Sequence, residues 1–150
     1  MEDRQMSTKE IQDKIIENMR RWQKIENASV ASTGSIMEKT NNKIVRLVME
    51  IIQHDSQMHH RVQELIAVSL ESETLSLNPD ELAEVWGQVD KHIELEKKTV
   101  EFANEALDAL KGKKMVVQEY LLQYLLTDEN KHNKILADLE TIKKGMYPYG

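Results

Sequence analysis

Four pairs or singletons of chemically capable residues interrupt helical faces that should be apolar. Near the C-terminal end, Met115, Leu122, Leu125, Leu136 and Leu139 recur at the spacing of one helix face, and Glu129 and His132 occupy the gap in that stripe. Upstream, Glu26 follows Ile11, Ile15, Met19 and Trp22 on one stripe. Asp55 and His59 fall within Val45, Val48, Ile52, Val62 and Ile66. His92 and Glu96 fall within Leu82, Val85, Val89, Ala103 and Ala106. An inward charge without a partner is costly, so something must offset each of these. Carboxylates and imidazoles that converge form a ligand set suited to iron, manganese or zinc. The competing reading is a polar core held by hydrogen bonds alone. His54 and His60 lie off the stripe and read as surface residues.

Helices must position these groups, and the punctuation of the chain predicts where. Ser7-Thr8-Lys9-Glu10 has the form of a capping box, with Ser7 as the cap and Glu10 reaching back. Thr40-Asn41-Asn42 breaks the first helix and caps the second. Asn78-Pro79-Asp80-Glu81 is a helix start with proline at its first position and acids in its first turn. Gly112 suits a helix stop, and Gly87 is a candidate kink. The expected helices span residues 8–36, 42–71, 79–111 and 113–144, followed by an aromatic tail over 145–150. The fold class is all-α, and the expected architecture is one antiparallel four-helix bundle over residues 1–150. Helices of about 30 residues are about 45 Å long, and each carries its interruption near mid-length. Glu26, Asp55, His59, His92, Glu96, Glu129 and His132 are therefore expected to meet at one level.

Composition narrows the function classes. Charged residues make up 31% of the chain, with only 5 glycines and 2 prolines, which favours long amphipathic helices over sheet. A net charge of −6 without any basic cluster argues against a nucleic-acid partner. The absence of cysteine excludes disulfides and thiolate metal sites. No signal-peptide pattern and no apolar run long enough to span a bilayer are present, so a cytoplasmic protein is expected, with no membrane partner. A homodimer is the default assembly. No serine nucleophile with a nearby base and no glycine-rich phosphate loop support a hydrolase.

The two halves of the sequence resemble each other. Glu26 precedes His59 by 33 residues, and Glu96 precedes Glu129 by 33 and His132 by 36. With Glu26, Glu96 and the motif Asp128-Glu129-x-x-His132, residues 8–144 resemble the ferritin-like superfamily, and within it the small rubrerythrin-type bundles. The resemblance implies carboxylate ligands at Glu26, Glu96 and Glu129, and terminal imidazoles at His59 and His132. It also implies one or two metal ions, iron foremost, and oxygen, peroxide or iron-handling chemistry. Asp55 and His92 would fill in. The departure is Ser56, which stands where the family motif has the glutamate before His59. An intact variant, a single-metal site and a hydrogen-bonded remnant all remain compatible with that change. The remnant would be a non-catalytic bundle acting through protein partners. The resemblance also implies a long crossover between the second and third helices. Only about seven residues there are clearly non-helical, so it requires either a helix ending near Ala67 or a crossover that includes residues 79–87.

Overall fold

Polar side chains set the helix starts. In the computed structural model, which describes residues 4–145, the Ser7 hydroxyl accepts the Glu10 N–H at 3.2 Å and opens α1 (Thr8–Lys39). The reciprocal half of the expected capping box is not made. The Glu10 carboxylate instead accepts from Arg4 Nη2 at 2.9 Å, a charge-assisted bond. Asn42 Oδ1 accepts the N–H groups of Ile44 and Val45 and opens α2 (Lys43–Glu71). Asn78 Oδ1 accepts the Asp80 N–H and opens α3 (Pro79–Ala109), with Pro79 in the first turn. The third helix runs unbroken through Gly87. It ends before Gly112, whose φ of 75° suits a residue without a side chain. α4 (Val116–Gly145) begins three residues later than expected, so Met115 lies in the connection and not on the helix face.

The all-α class and the four helices are as expected. The chain divides after Leu75 into two compact units, and each is a helical hairpin: α1 with α2, and α3 with α4. Residues 72–78 join them. α2 continues past Ala67 to Glu71 and residues 79–87 are helical, so neither segment supplies the long crossover that the resemblance implies. The aromatic tail 146–150 lies outside the described residues.

The contact face of the first hairpin differs from the apolar stripe. α2 buries Ser56, Gln63 and Ala67, whereas Val45, Ile52, Val62 and Ile66 stay more than one-third exposed. Small and polar residues let the two backbones approach, and the apolar row sits on the adjacent face. Gly34 marks the same closeness: a Cβ there would lie 3.4 Å from Gln53 Nε2, which donates to the Val30 carbonyl. On α1, Met19, Gln23, Glu26 and Thr33 are buried, while Ile11, Ile15 and Trp22 are not. A polar ladder continues down this hairpin. Gln23 Nε2 donates to Glu64, and Arg20 bonds Gln23, Glu64 and Glu71.

The second hairpin buries Leu82, Trp86 and Ala103 from α3 and no residue of α4 outright. The Lys143 ammonium lies 4.7 Å from the Trp86 ring centre, a cation–π contact that ties the end of α4 to the start of α3.

Candidate metal centre

The α3–α4 hairpin brings Glu96, Glu129 and His132 together. One ligand atom from each lies within 4.8 Å of the others. Helical spacing explains the pair on α4, because residues three apart share a face. Glu96 enters from α3, with its side chain only 12% exposed. His132 Nδ1 lies 3.4 Å from Glu96 Oε2 and 3.6 Å from Glu129 Oε2. Its other nitrogen, Nε2, lies 3.3 Å from Asp128 Oδ2. In the neutral ring with Nε2–H directed at the Asp128 carboxylate, the Nδ1 lone pair faces the two glutamates, the orientation a metal-bound imidazole needs. Thr99 Oγ1 donates to Glu129 Oε2 at 2.8 Å and fixes that carboxylate in turn.

His92, one turn before Glu96, places Nε2 at 2.9 Å from Glu96 Oε1. It is more than half exposed. A cleft of about 270 Å³ lies against the cluster, lined by His92, Glu96, His132, Ile135 and Leu136. A larger groove of about 470 Å³ runs along α2 past Met58, Val62, Leu65 and Val68, and none of its lining residues belongs to this cluster.

Glu96 Oε2 is a buried acceptor without a hydrogen-bond donor. A hydrogen bond with the Glu129 carboxyl is the chief influence holding the Glu96 carboxyl below its usual range. The nearby His132, when charged, and the hydrogen bond with His92 add to it, and burial opposes it. Two carboxylates this close do not both ionise cheaply; a shared proton, a protonated His132 or a bound cation offsets them.

The α1–α2 hairpin assembles a different set. His59 Nδ1 lies 3.4 Å from Glu26 Oε1, and Gln63 Nε2 donates to the same oxygen at 3.4 Å. Glu26 is 6% exposed. Asp55 joins neither Glu26 nor His59 through a hydrogen bond or ion pair among the described residues, so its expected role in the cluster is not realised there. Its side chain is shorter than a glutamate's and leaves α2 one position round from Ser56, the residue that faces α1. Ser56 hydrogen-bonds Ser29 at 2.8 Å. His54 is exposed beside Glu50 on α2, and His60 contributes its carbonyl to Gln23.

Thr99 and Gln63 were not among the candidate residues read from sequence, and Asp128 entered there only as the first residue of the motif Asp128-Glu129-x-x-His132 and not as a partner of His132. Asp128 and Thr99 stood at readable spacings, one position before Glu129 and three after Glu96. Gln63 gave no such signal, since it replaces an apolar residue on a face not expected to be the contact.

No protein family, curated protein or solved structure matches the chain.

Proposed function

We propose that the protein binds a divalent transition-metal ion in its second hairpin, with Glu96, Glu129 and His132 as ligands. The observation that carries this reading is the buried, donorless Oε2 of Glu96, set beside a second carboxylate and an imidazole. A divalent ion neutralises the two carboxylates and takes the Nδ1 lone pair at once. Asp128 and Thr99 supply the outer support that metal ligands require. His92 is a further donor within reach of Glu96 and the cleft. Mixed oxygen and nitrogen donors suit iron(II), manganese(II) and zinc, with iron first by the ferritin-like resemblance. When bound, such an ion supplies Lewis acidity and, if iron or manganese, one-electron chemistry. The donors of this hairpin amount to the complement of a single ion, which favours metal handling or a mononuclear site over a two-iron centre built here.

The test is metal content by elemental mass spectrometry, on protein grown with iron, manganese and zinc, together with Glu129→Ala and His132→Ala. One ion per chain, lost in both variants, is the expected result. Protein that takes up no metal under any of the three conditions overturns the reading.

A further inference from the structure

The two hairpins match position by position once their connections are aligned. Glu26 and Ser29 on α1 correspond to Glu96 and Thr99 on α3, an offset of 70. Asp55, Ser56, His59 and Gln63 on α2 correspond to Asp128, Glu129, His132 and Leu136 on α4, an offset of 73. The extra three positions sit in the connection, residues 110–115 against residues 40–42. The contacts correspond as well. The histidine Nδ1 lies 3.4 Å from the glutamate of the facing helix in both hairpins. A hydroxyl of the first helix bonds the residue three before that histidine at 2.8 Å in both.

What differs is the charge. The first hairpin has Ser56 where the second has Glu129, so a divalent ion there would meet one carboxylate and stay half-neutralised in a buried position. It has Gln63 where the second has Leu136, and the Gln63 amide N–H donates to the carboxylate while its Oε1 is buried without a partner among the described residues. The reverse amide orientation would set two oxygens against each other, so the donor is the group that faces Glu26. Trp22 stands where the second hairpin has His92.

We propose that the first hairpin is a closed counterpart of the metal site, in which Ser56 and Gln63 have replaced the second carboxylate and the cation. It contributes no ligand in the protein as it stands, and Ser56→Glu with Gln63→Leu, the second hairpin's own residues, opens it to a divalent ion. The inference extends the proposed metal site of the second hairpin.

Manganese(II) and iron(II) uptake by the full chain tests it, read as bound metal after desalting, with circular dichroism to confirm folding. Glu26→Gln and His59→Ala should leave the wild-type metal content unchanged. Ser56→Glu/Gln63→Leu should double it, and should restore uptake to a chain already carrying Glu129→Ala and His132→Ala. Loss of half or more of the wild-type metal in Glu26→Gln or His59→Ala overturns the inference, and this arm needs no folded double variant. So does a folded Ser56→Glu/Gln63→Leu chain that gains no metal. A wild-type chain without metal sinks the reading of the second hairpin only; metal uptake by Ser56→Glu/Gln63→Leu would then still decide the counterpart.

Discussion

In the α1–α2 hairpin, the inward carboxylate Glu26 is met by the Gln63 amide and the His59 ring, and the facing position is a pair of serines, Ser29 and Ser56. In the α3–α4 hairpin, the corresponding carboxylate Glu96 is met by a second carboxylate, and one of its oxygens is buried without a donor. The scaffold is nearly the same: two helices of about thirty residues, a glutamate on one, and a histidine on the other at the same distance. Two side chains separate a carboxylate met by an amide donor, whose own Oε1 is buried without a partner among the described residues, from a carboxylate met by a second carboxylate. A buried glutamate therefore says little about function until its partners are counted. A donor opposite it makes a structural contact, and a second acceptor opposite it makes a candidate metal centre.

The comparison breaks most readily at the ligands themselves. Glu129→Ala should reduce metal affinity by more than the roughly 10–100-fold that an outer-shell partner is worth, measured by competition with a chelating dye; an unchanged affinity would move the site elsewhere. Next comes the outer shell. Asp128→Asn should weaken binding by about 10–100-fold while the ligand set stays intact. The corresponding change in the first hairpin, Asp55→Asn, should have no effect on metal.

Stability without metal sharpens the contrast, because the two hairpins should respond in opposite directions. Gln63→Leu removes a donor from a buried carboxylate and should destabilise the protein by about 1–3 kcal/mol in denaturant unfolding. Glu129→Gln in metal-free protein replaces a carboxyl that must share a proton with Glu96 by a permanent amide donor, and should stabilise by up to about 1 kcal/mol. The same sign for both variants would remove the distinction.

The smallest effect is in acid. Glu96 is held below the usual carboxylate range chiefly by Glu129, and Glu64 by hydrogen bonds from Gln23 and Arg20. A carboxyl depressed in the folded state adds stability above its unfolded value, and that stability is lost as pH falls through the folded value. Metal-free protein should therefore lose stability below the usual carboxylate range. Glu96→Gln and Glu64→Gln should each flatten that acid limb, by little in the case of exposed Glu64.

Much of the fold was legible because its determinants are local. Ser7, Asn42, Asn78 and Pro79 act as read from sequence, and Gly112 takes the positive φ that a helix stop requires. The two faces of α2 were harder to tell apart. Periodicity located the apolar row through Val45, Ile52 and Val62, but nothing local reveals that Ser56, Gln63 and Ala67 on the adjacent row make the close contact. Glu96, Glu129 and His132 were legible because two of them are three apart on one helix and the third interrupts an apolar stripe. The internal repeat was visible, with Ser56 and His59 matched to the positions of Glu129 and His132; the three-residue excess in the second spacing (36 against 33) is the longer connection of the second hairpin. Asp55 makes no hydrogen bond or ion pair to Glu26 or His59 among the described residues; one position along a helix turns the side-chain direction by about 100° from that of Ser56, which faces α1.

Hydrogen exchange followed by mass spectrometry, with and without saturating manganese(II), tests the central claim most directly, because it reads each hairpin separately. Metal should slow exchange in the segments around Glu96 and around Glu129–His132, and leave those around Glu26 and His59 unchanged. Equal protection around Glu26 and His59, or none in either hairpin, would contradict the account.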